Sequence, residues 1–316
     1  MAAKKIISVL GATGAQGGGL VRAILDDPDS GFTVRAITRT VDSDAARALA
    51  KRGAEVVAGD VDDEESLVRA FSGAHGVYGV TFYWAHMDPA RETEEGRRIA
   101  RAARTAGVPH VIWSTFEDTR KRVPLDDTRM PTLMGHYKVP HFDSKAEANA
   151  AFADAGVPTT YLLTSFYWDN LIHFGMGPTK GPDGVLGFTM PMGAAKLPGI
   201  ASGDIGGCAY GIFKRGHEYV GKTVGIAGEH LSGAEMAAAL GRALHTTVRF
   251  NDVTPDTYRG FGFPGADDLG NMFQYKRDFE REYRAVRDVA RSRALNPKLQ
   301  TFDQWLAANA SLIPHD

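Results

Sequence analysis

Cysteine is nearly absent: Cys208 is the only one in 316 residues. No disulfide framework can form within the chain, which points to a reducing compartment and the expectation of a cytoplasmic protein. Long hydrophobic runs are missing too. No segment approaches the ~20 apolar residues that cross a bilayer. The N-terminal Met-Ala-Ala-Lys-Lys is followed by only a short apolar run before glycines begin. That run reads as a strand, not a signal peptide, and no membrane contact is expected. An excess of either charge is also lacking. The formal net charge is −2, which excludes a whole-surface electrostatic grip on nucleic acid. No histidine or cysteine set has metal-ligand spacing, so no metal site is expected. Neither a Gly-x-Ser-x-Gly elbow nor an internal repeat is present. What is there is a chain with 43% hydrophobic residues, ample for a full core. Its length fits one nucleotide-binding domain with a smaller part appended.

The most informative stretch is Gly11-Ala12-Thr13-Gly14-Ala15-Gln16-Gly17-Gly18-Gly19, directly after Ile6-Ile7-Ser8-Val9-Leu10. A β-branched strand feeding a glycine turn and then a helix builds a pyrophosphate site. The glycines let the backbone turn tightly, and the helix N-terminus offers unpaired N–H groups and a positive dipole end. The spacing Gly11-x-x-Gly14-x-x-Gly17 differs from G-x-G-x-x-G, so the flanking strand and helix carry the reading.

Strand and helix patterns then alternate. Phe32–Thr38, Ala54–Ala58, Val77–Phe82, Val108–Ser114 and Thr159–Thr164 read as strands. Asp44–Lys51, Glu64–Phe71, Ala90–Thr105 and Pro140–Ala155 read as helices. Short strands separated by helices of this length imply right-handed crossovers. The expected fold is α/β, a Rossmann-type doubly wound parallel sheet with a smaller, interleaved C-terminal α/β substrate region. The dinucleotide domain spans 1–165, completed by a strand near 222–227, and 166–316 forms the substrate or partner region. Residues 117–140 carry three prolines, a basic cluster and no helical period, and read as a lid over the site. Near the C-terminus Arg281, Arg284, Arg287 and Arg291 are interleaved with acids, and read as a solvated, salt-bridged face.

In a parallel sheet ligands lie beyond the carboxyl ends of the strands. The cofactor candidates are therefore Gly11, Thr13, Gly14, Ala15, Gln16 and Gly17, then Thr38 and Arg39, Asp60 and Val61, and Thr81, Phe82 and Tyr83. Arg39 suits the 2′-phosphate of NADP(H), which is favoured; Asp42 keeps NAD(H) open. Asp60 is free to accept from the adenine amine if Asp62 caps the next helix. His141 and Lys145 share one helix face, and Lys145 there can hold the nicotinamide ribose. The triplets Phe82-Tyr83-Trp84 and Phe166-Tyr167-Trp168 line either a flat aromatic pocket or a hydrophobic hinge. Phe166 and Tyr167 are also candidates to touch the nicotinamide.

Four separated motifs fall in order: the glycine turn, Thr38-Arg39, His141-Phe142-Asp143-Ser144-Lys145, and Phe263-Pro264-Gly265-Ala266-Asp267-Asp268-Leu269-Gly270-Asn271-Met272-Phe273. With them the chain resembles the NmrA-like family, a divergent branch of the short-chain dehydrogenase/reductases, as far as Leu299–Leu306. The resemblance implies a formed NAD(P)(H) site. It also implies either an oxidoreductase acting on a small aromatic or quinone-like substrate, by reduction or less readily by oxygenation, or a non-catalytic NADP(H) redox sensor working through a protein partner. Active members of the superfamily carry Tyr-x-x-x-Lys, and here His141 stands at the tyrosine position. Tyr137 lies four residues further back, before Pro140, and Ser114 is a second hydroxyl at a strand end. The isoflavone-reductase-like relatives also lack the tyrosine and are understood to work through the lysine. The catalytic candidates are Lys145, His141, Ser114 and Tyr137.

Overall fold

A computed structural model describes residues 3–315. The first half alternates as expected: β1 (Lys5–Val9), α1 (Ala15–Leu25), β2 (Phe32–Thr38), α2 (Asp44–Lys51), β3 (Glu55–Ala58), α3 (Glu64–Phe71), β4 (Gly76–Gly79), α4 (Pro89–Thr105), β5 (Val111–Thr115), α5 (Pro140–Asp154) and β6 (Thr159–Leu163). Then come β7 (Phe166–Tyr167), α6 (Asn170–His173), β8 (Thr179–Lys180), β9 (Leu186–Met190), β10 (Lys196–Ile200), α7 (Ser202–Arg215) and β11 (Thr223–Gly225). The chain continues with β12 (Glu229–Ser232), α8 (Gly233–Leu244), β13 (Val248–Asp252), α9 (Pro255–Arg259), α10 (Ala266–Asp278), α11 (Glu280–Val286), α12 (Val289–Leu295) and α13 (Phe302–Asn309).

Seven strands form one parallel sheet in the order β11-β6-β5-β4-β1-β2-β3. Winding starts at β1 and reverses between β1 and β4, the switch point where such sheets open a crevice. Both faces are covered. Leu20, Val21 and Ile24 of α1 and Ile205, Ala209 and Ile212 of α7 pack on one side. Leu67, Ile99, Ala148 and Phe152 from α3, α4 and α5 pack on the other. Two small sheets, β12-β10-β7 and β13-β9-β8, build the remainder with α8, α10 and α13 around a third core.

The expected strand Val77–Phe82 stops at Gly79 because its partners stop there: Val9 pairs with Tyr78 and Trp113 with Gly79. Val80 and Thr81 leave the sheet, and Tyr83–Ala85 forms one 3-10 turn. The expected strand at Val108 starts only at Val111, because the Val108 N–H is held by the Ala103 carbonyl at the end of α4. The cap of α3 is Asp63, whose carboxylate accepts from Ser66 N. Asp62 instead binds Arg91 and Arg98.

The glycine run divides its work between two surfaces. A Cβ on Gly19 would lie 2.3 Å from the Gly203 carbonyl, and one on Gly206 would lie 2.0 Å from Leu20 N. These glycines let α1 and α7 cross backbone to backbone. Gly206→Ala is expected to destabilise the fold by about 1–3 kcal/mol through overpacking, as measured by denaturant unfolding.

Candidate functional site

Gly11 sits at φ +61° in the left-handed region that glycine adopts without a Cβ penalty. Its carbonyl accepts from Gly14 N at 2.9 Å, closing the turn. Gly14 caps α1 with no side-chain hydrogen bond, and the first turn holds no acid. The first bond of the helix is Gly18 N to Gly14 O. Among the described residues, the N–H groups of Ala15, Gln16 and Gly17 therefore have no partner. A Cβ on Gly17 would stand 2.4 Å from the Gly11 carbonyl, so only glycine lets α1 lie this close to the turn. Unpaired donors, a dipole end and no competing carboxylate are what an anion would need there. Thr13 lies exposed on the turn.

The Gln16 side chain faces inward. Its Oε1 accepts from Tyr78 OH at 2.5 Å and Ser114 Oγ at 2.8 Å, while its Nε2 donates to Tyr167 OH at 2.7 Å. Tyr167 OH in turn lies 3.0 Å from Thr164 Oγ1. The network ties the first turn of α1 to β4, β5 and β7. It occupies the Ser114 hydroxyl and brings in Tyr78, which sequence patterning marks only as a core strand residue.

Thr38 ends β2 beside Ala58 of β3. Arg39, next along, is exposed and has no hydrogen-bond or ion-pair partner among the described residues. Asp60 closes a local turn by accepting from Asp62 N at 3.0 Å, and Val61 rests against the α3–α5 core. These positions share the carboxyl edge of the sheet with the α1 turn.

Lys145, on α5, is 7% exposed. Its Nζ donates to Thr81 Oγ1 at 2.6 Å and Thr81 O at 3.1 Å, and it contacts the carboxylate of Glu92. Thr81 Oγ1 also donates to Glu92 at 2.5 Å. Glu92 is fully buried, so the pair is compensated in place, as a buried charge requires. Its position follows from the start of α4: Asp88 caps the helix, Pro89 opens it, and Glu92 faces α5. Gly96, one turn on, lets the helices close, since its Cβ would meet Ala148 Cβ at 2.6 Å. The face Glu92, Glu95, Gly96 at i, i+3, i+4 is the signal that sequence reading passed over.

His86 Nε2 lies 3.3 Å from Glu92 Oε2 and 3.6 Å from Glu95 Oε1. These three side chains converge although their spacing suggests no metal motif. Asp88 N donates to His86 Nδ1, which puts the ring proton on Nε2, facing the carboxylates. Lys145 and Arg91 already neutralise Glu92 and Glu95. Burial, then the charge of Glu92, pushes the Glu95 carboxyl up to about 7.

His141 is held by Asp268 at both ends: the Nδ1–Oδ1 distance is 2.7 Å, and the His141 backbone N–H donates to Oδ2 at 3.2 Å. Its ring meets Trp84 at 4.9 Å, Tyr83 at 5.9 Å and Phe116 at 6.1 Å. Of the first aromatic triplet, Tyr83 is buried and Trp84 faces His141, while Phe82 is 57% exposed. Of the second, Tyr167 joins the Gln16 network, Phe166 packs on Phe273, and Trp168 belongs to the C-terminal core with Phe302 and Trp305. Tyr137 lies outside α5, bridged to Leu133 and under the Arg120 guanidinium. No hydrogen bond joins it to His141 or Lys145.

Residues 117–140 are tied down at several points. Asp143 accepts from Thr119, Lys138 and Val139, Asn271 donates to the Pro131 and Lys138 carbonyls, and Gln274 donates to the Arg129 carbonyl. Val123 and Met130 enter the C-terminal core. The segment is thus tethered at these points, while most of residues 121–136 between them are exposed. Arg287, expected on a solvated face, is completely buried, paired in two-pronged fashion with Glu117 and donating to the Thr164 carbonyl.

A doubly wound sheet with a helix starting at its switch point is the architecture of the Rossmann type. A model of the NmrA-like family matches residues 3–306, and the chain belongs to that family. It is 29% identical over 296 residues to the NmrA-like family domain-containing oxidoreductase FrzB of Cladobotryum sp, covering 85% of this chain and 83% of that protein. A second relative, hkm9 of Aspergillus hancockii, is 29% identical over 286 residues, covering 86% and 82%. Among solved structures, NmrA, a negative transcriptional regulator in complex with NAD, matches with a TM-score of 0.77 at 22% identity, covering 97% of this chain and 95% of that one. The triphenylmethane reductase of Citrobacter sp., complexed with NADP(H), matches with a TM-score of 0.75 at 20% identity, covering 96% and 99%. At these identities the structural likeness is one of fold. Among the described residues, no helix is long and apolar enough to cross a membrane.

Glu95 yields a test. Its raised folded-state value means that the folded state holds a proton the unfolded chain releases, so stability is full below about 4.5 and falls as pH rises towards about 7. Glu95→Gln is expected to flatten this part of the stability–pH curve, as read by denaturant unfolding at intervals from pH 4.5 to 8.

Proposed function

We propose that this protein is an NAD(P)(H)-dependent oxidoreductase that acts on a small aromatic or quinone-like substrate. The observation that carries the reading is the buried Lys145 ammonium, fixed on Thr81 just beyond β4. Val80, its neighbour, lies within 3.3 Å of where a Gly11 Cβ would stand, on the anion-binding turn. One crevice thus offers a pyrophosphate cradle and, beside it, a lysine held in a fixed position by Thr81 and Glu92. Family membership and the oxidoreductase relatives support the same reading.

The groups present fit such a cofactor. The free N–H groups of Ala15, Gln16 and Gly17 would receive the pyrophosphate. Arg39, unpaired at the end of β2, would meet a 2′-phosphate, which favours NADP(H), while Asp42 leaves NAD(H) as the weaker choice. The bound nicotinamide supplies or accepts hydride. The protein does the rest: Lys145 would exchange one of its Thr81 bonds for a ribose hydroxyl while staying paired with Glu92, and Trp84, Tyr83 and Phe116 offer apolar walls around His141 for a flat ring. Oxygenation of a deprotonated phenol is a lesser outcome of the same site.

A second reading is a redox sensor that binds NADP(H) without chemistry and acts through a protein partner. The specific feature on its side is the missing tyrosine: Ser114 is occupied by Gln16, and Tyr137 lies outside α5. Control of that kind requires the two redox forms to bind two conformations with different affinity.

Arg39→Ala is expected to weaken NADPH binding roughly tenfold or more, consistent with loss of a charge-assisted contact, and to leave NADH binding nearly unchanged. Fluorescence titration measures both. Equal loss for both nucleotides would remove the NADP(H) assignment. Lys145→Ala is expected to abolish NAD(P)H turnover over a panel of quinones and phenols assayed with and without oxygen. If the wild-type protein binds the dinucleotide yet turns over nothing in the panel, the sensor reading replaces the enzyme.

A further inference from the structure

We propose that Asp268 and His141 form a proton-handling dyad: Asp268 positions the ring, and the free Nε2 of His141 exchanges a proton with an oxygen of an aromatic substrate lying against Trp84. This deepens the oxidoreductase reading and rests on it.

The dyad is built by two helix starts. His141 is the second residue of α5 and Asp268 the third of α10. Val139, the N-cap of α5, supplies no side-chain bond. Asp268 accepts the His141 N–H at 3.2 Å, one of the donors left over at that helix end, and takes Nδ1 of the same residue at 2.7 Å. Two helix N-termini favour its negative charge. Because a carboxylate offers only acceptors, Nδ1 must carry the hydrogen, and the working atom becomes Nε2. Among the described residues Nε2 has no hydrogen-bond partner. The ring is bounded by Phe142 at 4.7 Å and Trp84 at 4.9 Å, with Tyr83 and Phe116 further out. Gly265 leaves room for Trp84, since a Cβ there would meet the indole at 2.7 Å. The motif around Gly265 and Asp268 thus serves the site from more than a hundred residues away along the chain.

Lys145 is poorly placed to give up its own proton. An ammonium has three donors, and Thr81 O, Thr81 Oγ1 and Glu92 take them. Loss of that proton would leave the fully buried Glu92 without a counter-charge. Charge and acid–base work therefore fall to different residues one turn apart on α5. Reduction of a quinone to a hydroquinone consumes a hydride, from the reduced nicotinamide, and one proton. The proton leaves His141 Nε2 for the substrate oxygen, the ring becomes neutral with Nδ1–H still on Asp268, and a solvent proton restores it. The carboxylate stabilises the ring while it is positive. Asp268 is a positioning residue; His141 is the catalytic one.

The experiment compares wild type with Asp268→Asn in the dinucleotide-loaded full chain, using 15N-histidine NMR for the His141 tautomer and quinone-dependent NADPH oxidation across pH. An asparagine accepts through one atom only and cannot serve both His141 donors as the carboxylate does. The expected wild-type result is hydrogen on Nδ1 in every form of the ring, with Nε2 also protonated in the donor form and bare in the neutral one. In the variant kcat falls roughly a hundredfold or more and its pH profile moves toward lower pH, while KM and NADPH affinity stay within about threefold. A purely structural Asp268 would lower stability and NADPH affinity and leave the pH profile in place, which overturns the proposal. A wild-type neutral ring with hydrogen on Nε2, with turnover intact, overturns the dyad but leaves the oxidoreductase reading standing. The expected tautomer with no turnover of any quinone or phenol overturns the oxidoreductase reading, and the proton-transfer role with it.

Discussion

Parallel strands joined by right-handed crossovers leave a crevice where the winding reverses, and here that reversal between β1 and β4 organises everything that follows. The chain leaves β1 through Gly11 and must start α1 at once, pressed against the turn. Gly17 permits the approach, since any Cβ would fall 2.4 Å from the Gly11 carbonyl. The helix start is thereby held open, with three backbone donors free. Gln16 then locks that start to the sheet through Tyr78 and Ser114, and to the second half through Tyr167. The helix start is stiff because the Gln16 side chain in its first turn is bonded to the sheet.

Around the crevice three pairs of buried or partly buried polar groups join distant parts of the chain. Lys145 with Glu92 couples α5 to α4, His141 with Asp268 couples α5 to α10, and Arg287 with Glu117 couples the end of α11 to the exit from β5. Such pairs add little net stability over apolar packing, but losing one partner costs about 3–5 kcal/mol because it strands a charge. They serve register more than strength. α5 carries Lys145 and His141 on one face while Asp143 at its start gathers the Thr119, Lys138 and Val139 donors. The site is thus a property of how α5 is gripped from three directions.

The family relation and the local chemistry fit together at this helix. The chain belongs to the NmrA-like family, whose relatives include oxidoreductases and whose structural neighbours include a transcriptional regulator and a reductase. Lys145 lies in a compensated, buried setting, and the position four before it holds an imidazole fastened to a carboxylate.

The sequence by itself determined the alternation of strands and helices, the glycine turn, the expectation of Arg39 at the end of β2, and the pairing of His141 and Lys145 on one face. Each rests on local rules: period, φ freedom, and side chains three or four apart on a helix. Boundaries went astray where a partner decided them. β4 ends at Gly79 because β1 and β5 stop pairing there, and Asp63 caps α3 because Asp62 is claimed by arginines of α4. Only the tertiary structure decided that Glu92 stands under Lys145, that Asp268 meets His141 across 127 residues of chain, that Arg287 lies inside, and that 117–140 is tethered. These are pairings between segments far apart in sequence. No local pattern encodes them, because a charge or donor finds its partner only after the core has brought the segments together and removed the water that would otherwise have satisfied both.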